Sequence, residues 1–322
     1  MKNVSSILII IILIISIIVT FIVLCFVACD EEGRSSKPPP KEEAAPGQGS
    51  GTTPGSEQEG EEDDPGRITV KEKIVYDNEG LVITLKGFTE NEEDRIASWP
   101  KFQFLVENGT SENLRIRTTE SSVNGVMVNS YMMCEIGPEE WANAEMGLFS
   151  TDLKRANIEI IKDVEFIFHF IGEQSAIDYR YSDVISIRTS ADYSYVQTYD
   201  DSGGVLVNRD GIKIVNQGLY YESDTSGLVL NLFIANNSGS DVRVMPKSCY
   251  IDGVLIEIFA EAVVLDGKKA FTVLTFEEED LLSNGIEDAE LLEIVFEISG
   301  AKSYSLIFDS EEIRIGVSAE GT

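Results

Sequence analysis

The chain repeats itself. Phe104-Leu105-Val106-Glu107-Asn108-Gly109 lies 128 residues before Leu232-Phe233-Ile234-Ala235-Asn236-Asn237, and Val123-Asn124-Gly125-Val126 precedes Ile251-Asp252-Gly253-Val254 by the same offset. Asp152-Leu153 matches Asp280-Leu281, Gly172 matches Gly300, and the closing Ile185-Ser186-Ile187 matches Ile313-Arg314-Ile315. The openings, Gly80-Leu81-Val82-Ile83 and Gly211-Ile212-Lys213-Ile214, align at 131, so three residues have shifted within a loop. A repeat of this length matches a whole domain, so the fold of one copy constrains the fold of the other. The division that follows is a first domain at 67–191 and a second, its internal repeat, at 192–322.

Each copy reads as an all-β unit of seven to nine strands. Asn124-Gly125 and Asp252-Gly253 sit between branched or apolar runs, the strongest short-range signal for a tight hairpin. Asn108-Gly109 and Asn236-Asn237 mark an earlier, looser turn. In the late strand one parity is uniformly apolar in both copies: Val164, Phe166, Phe168 and Phe170, or Leu292, Ile294, Phe296 and Ile298. Side chains alternate with period two, so that face belongs in an interior and His169, with its repeat partner Glu297, on the opposite face, where His169 reads as an exposed residue. Only short pieces near 152–157 and 277–284 predict a helical turn or two, and nothing supplies the regular helices of βαβ construction. The expected class is all-β: two tandem immunoglobulin-like β-sandwiches after an N-terminal apolar helix and a disordered linker. A small barrel per repeat satisfies the same strand count.

Residues 7–28 are uncharged and apolar apart from Ser16 and Thr20. As a helix, these 22 residues would span roughly 33 Å, the thickness of a bilayer core. Lys2 precedes the segment and Asp30, Glu31 and Glu32 follow it, which leaves the rest of the chain on the outer face. The stretch ending Phe26-Val27-Ala28-Cys29 resembles the lipobox of bacterial lipoproteins, in which a small residue precedes the cysteine that is lipidated and becomes the mature terminus. Ala28 and Cys29 match that pattern; Phe26 stands where it prefers Leu. Residues 1–29 are therefore a lipoprotein signal with Cys29 as the lipidation site, or an uncleaved membrane anchor. From 30 to 66, six prolines, seven glycines and eleven acids leave too little apolar area to order the chain, so this segment reads as a spacer.

With 56 acidic against 25 basic residues the net charge is −31, and no basic cluster offers a surface for phosphates, which excludes nucleic acid as partner. A single histidine cannot complete a histidine-rich zinc site. Cys134 and Cys249, outside the leader, are not repeat equivalents of each other and read as buried thiols or as one interdomain bridge. The acidic runs lack the ligand spacing of a calcium loop. No phosphate loop, dinucleotide fingerprint or serine elbow occurs, so no catalytic, cofactor or metal residue is nominated and no cofactor is expected. Tyr193, Tyr195 and Tyr199 cluster at the boundary between copies, where alternation on a strand would give either interdomain packing or a partner surface.

The leader with Cys29, the acidic Pro/Gly spacer, the Asn108-Gly109-Thr110-Ser111 turn, the Asn124-Gly125 hairpin and the block from Asp280-Leu281 to Ile298 together resemble uncharacterised Gram-positive, clostridial-type surface lipoproteins and membrane-anchored proteins. Those proteins carry telokin-like or other immunoglobulin-fold domains. The resemblance implies location at the outer face of a bacterial cell membrane and supplies no catalytic residue. The expectation is a membrane-tethered, non-catalytic binding or scaffolding protein with a protein or cell-wall ligand. The alternatives are an envelope hydrolase using surface carboxylates, or an accessory or sensor subunit of an envelope complex.

Overall fold

The computed structural model describes residues 67–90, 99–172, 179–222 and 227–318. The apolar segment, Cys29 and the acidic spacer lie outside the described residues; among those described, no helix is long and apolar enough to cross a membrane.

Paired positive φ angles place the hairpins. Glu79-Gly80 (50° and 89°), Asn124-Gly125 (52° and 83°), Asp210-Gly211 (51° and 82°) and Asp252-Gly253 (50° and 80°) each put two consecutive residues in the left-handed region. That is the geometry of a two-residue turn whose twist matches the strands it joins, and a glycine second removes the steric penalty. The first half then runs β1 (Lys73–Asn78), β2 (Leu81–Thr89), β3 (Lys101–Asn108), β4 (Leu114–Val123), β5 (Val126–Met127), β6 (Ser130–Tyr131), β7 (Met133–Ile136), β8 (Glu140–Leu148), α1 (Ser150–Arg155), β9 (Asp163–Gly172), β10 (Tyr179–Tyr181) and β11 (Ile185–Arg188). The second runs β12 (Gly204–Arg209), β13 (Ile212–Glu222), β14 (Gly227–Asn236), β15 (Val242–Ile251), β16 (Val254–Leu255), β17 (Ala262–Val264), β18 (Lys269–Glu277), α2 (Glu278–Ser283), β19 (Leu291–Gly300), β20 (Leu306–Asp309) and β21 (Ile313–Gly316).

In the first half β1-β2-β3-β8-β6 form one antiparallel sheet. Facing it, β9 pairs β10 and β11 on one side and β4 on the other, with β5 and β7 beyond β4. The second half repeats this: β12-β13-β14-β18 faces a sheet in which β19 pairs β20, β21 and β15, and β15 pairs β16 and β17. The architecture is thus essentially all-β, with two large sandwich-like regions. One strand breaks the match. β6 closes part of the outer edge of β8 through Ser130 and Tyr131, whereas the equivalent Ile258 and Phe259 form no strand.

The repeat extends to the polar side chains that fix the loops. Asn124 Oδ1 accepts from the Lys162 and Asp163 amides at 3.1 and 3.0 Å, and the Asp252 carboxylate accepts from the equivalent Glu290 and Leu291 amides. Asn108 and Asn236 are fully buried and satisfied by backbone: each accepts from the amide two residues on and donates to carbonyls four residues on and across the sandwich. The Phe168 and Phe296 amides donate to Ser182 and Ser310 Oγ, both at 2.9 Å. Buried groups of this kind are costly unless paired, so each ties its loop to one conformation.

The apolar parity of β9 and β19 faces inward. Val164, Phe166, Phe168, Leu292, Ile294, Phe296 and Ile298 are fully buried, and Phe170 nearly so. In the first half Phe104, Phe166 and Phe168 pack edge to face, and Tyr76 lies against Phe168 and Phe170. Cys134 and Cys249 are both buried as thiols rather than bridged, and burial pushes the Cys249 thiol up to about 12. His169 differs from its reading as an exposed residue. It does face outward, but β10 brings Tyr181 onto its ring (centroids 4.7 Å apart, 14° between planes), leaving it half-buried.

Candidate binding surface at the junction

The two halves are joined through a strand pairing as well as through the chain. The two-residue β5, immediately after the Asn124-Gly125 turn, runs parallel to β18, with Val126 opposite Lys269 and Met127 opposite Ala270. The Lys269 amide donates to the Gly125 carbonyl at 3.1 Å. One sheet of each half thereby becomes part of a single ten-stranded sheet. Side chains reinforce the pairing in both directions: Met127 packs against the second core, and Phe271 of β18 against the first. Lys268 pairs with Glu165 across the joint. The backbone pairing and the apolar groups packed from each side tie the two halves together at β5 and β18.

The connecting segment that holds Tyr193, Tyr195 and Tyr199 is not a strand between Tyr193 and Ser202, so the alternation of Tyr193 and Tyr195 does not set a common sheet face. Tyr193, 79% exposed, lies against the Lys162 ammonium and the Arg188 guanidinium, 5.5 and 5.0 Å from its centroid. Lys162 Nζ also donates to the carbonyls of Tyr193 and Tyr195 at 2.8 and 2.6 Å, fastening the segment to the first half. The Tyr195 hydroxyl donates to Gln197 Oε1 at 2.9 Å; burial, and secondarily the negative charge of Glu159, raise its pKa. Asp192 accepts from the amide and hydroxyl of Ser194, bonds that hold its carboxyl below the usual carboxylate range. Tyr199 stacks on Phe233 (5.6 Å, 15°) with Lys269 over its ring, capping the outward apolar cluster of Val215, Phe233 and Phe271 in the second half. Of the three tyrosines only Tyr193 offers most of its ring to solvent.

The larger concavity lies elsewhere on the joint. A cleft of about 900 Å³ opens between the halves, lined by both. From the first half come Glu120, Ser130 and Tyr181; from the second, Arg243, Phe271 and Tyr304. Glu120 sits at a bulge in β4 with φ of +52°, a left-handed conformation uncommon for a residue with a Cβ, and pairs with Lys302 of the second half at 3.4 Å. Arg243 pairs with Glu261, donates to the Ala301 carbonyl at 3.2 Å and lies 4.2 Å from the Tyr304 ring centroid. Tyr181 and Tyr304 are 58% and 68% exposed, which leaves two aromatic faces available at a polar cleft.

The hydroxyls and carboxylates that line the cleft are tied to one another and to neighbouring groups. Ser130 Oγ shares hydrogen bonds with Thr118 Oγ1 (2.9 Å) and Ser121 Oγ (2.6 Å), a hydroxyl cluster in which none of the three is a base that could activate another. Its carboxylates are engaged: Glu120 and Glu261 by cations, Asp152 by the Asn129 amide and by Arg155. Among the described residues no group of three or more His, Cys, Asp or Glu is placed to hold a metal ion. The sequence reading missed this site. Its residues come from nine separate segments, drawn from both halves, that β5 docking on β18 brings together, and no local spacing marks that event.

No family model matches the chain, and no curated protein matches its sequence. Among solved structures it is similar to the CupB2 chaperone of Pseudomonas aeruginosa (TM-score 0.19, 9% identity, covering 67% of this chain and 91% of that one). It is also similar to the Salmonella enterica SafA pilin in complex with the SafB chaperone (0.18, 9%, 67% and 89%) and to Bacteroides uniformis β-glucuronidase 2 (0.23, 10%, 71% and 28%). Similarities of this size transfer neither a fold family nor an activity.

Proposed function

We propose that the protein is a non-catalytic binding or scaffolding protein displayed at the extracytoplasmic face of a bacterial membrane. Residues 1–29 tether it, through lipidated Cys29 or an uncleaved helix, and 30–66 hold it away from the surface. The folded part is read as two immunoglobulin-like domains, 67–191 and 192–322. The strand order supports this: β2-β3-β8-β6 opposite β11-β9-β4 corresponds to the A-B-E-D and G-F-C sheets of that sandwich, with β1 added outside. The observation that carries the binding reading is the cleft at the joint between domains, where aromatic faces of Tyr181 and Tyr304 flank opposed ion pairs. Such a site contacts a protein segment or a wall polymer through apolar area and hydrogen bonds together, without any reacting group.

A photo-crosslinking residue placed at Tyr304 in the full chain on intact cells should capture a macromolecule. The same residue at Ile74, an exposed position on β1, should not. Equal products from the two positions would sink the cleft as the binding site.

A further inference from the structure

The second half leaves open an edge that the first half closes with its own chain. In the first half the segment leaving β5 crosses to β8, where Ser130 and Tyr131 lie opposite Leu148 and Gly147. Asn129 fastens it from two sides: its carbonyl accepts from the Phe149 amide at 3.0 Å, and its own amide and side-chain Nδ2 donate to the Asp152 carboxylate at 2.9 and 2.8 Å. The second half has a segment of the same length, β18 in the place of β8, and Asp280 in the place of Asp152. Among the described residues neither contact forms there. Ile258 and Phe259 make no strand, Phe259 is 98% exposed against 53% for its counterpart Tyr131, and a cavity of about 560 Å³ opens between residues 255–261 and 245–249. Charge separates the two cases. Asn129 is replaced by Glu257, Phe149 by Glu277, Ser150 and Thr151 by Glu278 and Glu279, and Arg155, which pairs with Asp152 at 3.1 Å, by Ser283. The first turn of α2 thus carries three acids with no base in its last turn. Of the other charged groups beside the segment, Glu261 is paired with Arg243, and Lys247, which lines the cavity with Glu257, is paired with Asp309.

We propose that residues 257–260 form a strap held off β18 by like charge, which closes onto Thr275 and Glu277 as a strand when that repulsion is removed. Closure sets Glu257 against Asp280 where the first half has a hydrogen bond, with Glu277, Glu278 and Glu279 alongside, and carboxylates at that range repel. Opposing them are the backbone bonds that this end of β18 lacks and the Phe259 ring, which closure takes out of full contact with water. The two states differ in local charge density, so ionic strength sets their ratio, and the state of the strap decides whether this edge is available for pairing. The amides that report it follow from the sheet. The Lys269 amide faces β5, and β14 pairs with β18 in unbroken register from Lys269 to Glu277. Successive amides alternate between the two edges of a strand, so those of Thr275 and Glu277 point to the open edge and those of Leu274 and Phe276 to β14.

Hydrogen exchange of the full chain in detergent micelles, resolved to single amides by fragmentation mass spectrometry, tests this. In wild-type protein at about 20 mM NaCl the Thr275 and Glu277 amides should exchange fast and the Phe149 amide slowly, and at about 500 mM the first two should slow. Glu257→Asn, which restores the first-half residue at an exposed position, should slow both at least about tenfold at low salt. Asn129→Glu, the reciprocal exchange, should speed the Phe149 amide by about the same factor while Leu148, whose amide donates to the Pro100 carbonyl, stays protected. Unchanged exchange at Thr275 and Glu277 in Glu257→Asn overturns the proposal, as does a Phe149 amide that Asn129→Glu leaves unmoved. Equal slowing at Leu274 and Phe276 also overturns it, because that pattern reports a gain in stability of the whole sheet instead of closure at one edge.

Discussion

Removing the Phe168 ring should destabilise the first half by about as much as one residue can. The side chain is fully buried, and its ring centroid lies 5.1 to 6.5 Å from those of Phe166, Phe104, Phe170 and Tyr76. Phe to Ala in a core costs about 3–5 kcal/mol, from lost transfer energy and the cavity left behind. The four ring contacts place Phe168→Ala toward the top of that range, at about 4–5 kcal/mol. With a urea slope of about 1.5 kcal/mol per molar, the midpoint should fall by roughly 3 M. Both tryptophans, Trp99 and Trp141, belong to the first half, so their emission in a urea titration reports that half selectively. Phe296→Ala, the repeat equivalent, should leave the tryptophan transition nearly in place and move only the loss of far-ultraviolet β signal. A loss below about 1 kcal/mol for Phe168→Ala would mean that the site tolerates a large void, against the packing argument.

Three further outcomes are expected. Because burial pushes the Cys249 thiol up to about 12, iodoacetamide near pH 8 should leave Cys249 unmodified in the native protein and label it in urea, with peptide mass spectrometry as the readout. Burial, and secondarily Arg117, lower the His169 pKa below its usual 6.5, so the unfolded chain binds the proton more readily. The stability that neutral His169 contributes is complete above about pH 6.5 and is lost as pH falls toward the folded value; His169→Gln should flatten the acid side of a plot of urea midpoint against pH. Fragments 67–191 and 192–322, expressed separately, should each unfold cooperatively, which calorimetry can check; failure of both, with the joined chain folding, would refute the boundary.

The fold was legible where the physics is local. Asn124-Gly125 and Asp252-Gly253 specify their turns through backbone conformation alone, and the parity of Phe166, Phe168, Ile294 and Phe296 follows from the two-residue strand period. Strand count was less legible: β5, β6 and β16 are two-residue pieces whose pairing depends on neighbours far away in sequence. His169 illustrates the same limit, because its outward face was readable but its cover, Tyr181, arrives from another strand. The cleft was illegible for a stronger reason. It exists only once β5 lies beside β18, and Met127 and Phe271 look like ordinary strand residues until then. The loss of β6's counterpart at Ile258-Phe259, which leaves the β18 edge without a strand of its own half, shows only in the structure, because two apolar residues there read as well as a strand.

The parallel pairing of β5 with β18 also sets a schedule for synthesis. Lys269 follows its partner Val126 by 143 residues, so the first half can complete every one of its own strands while the acceptor has yet to be made. At about 5–20 residues per second that interval lasts on the order of ten seconds. Throughout it, the Gly125 carbonyl and the Met127 side chain stand on an unclosed edge, the kind of surface on which a nascent chain is captured by the wrong strand. A ribosome stalled, or a message cut, between the codons for Arg188 and Lys269 would therefore release a product with a finished core and a permanently unfilled seam, and aggregation during production should concentrate in that class of truncation.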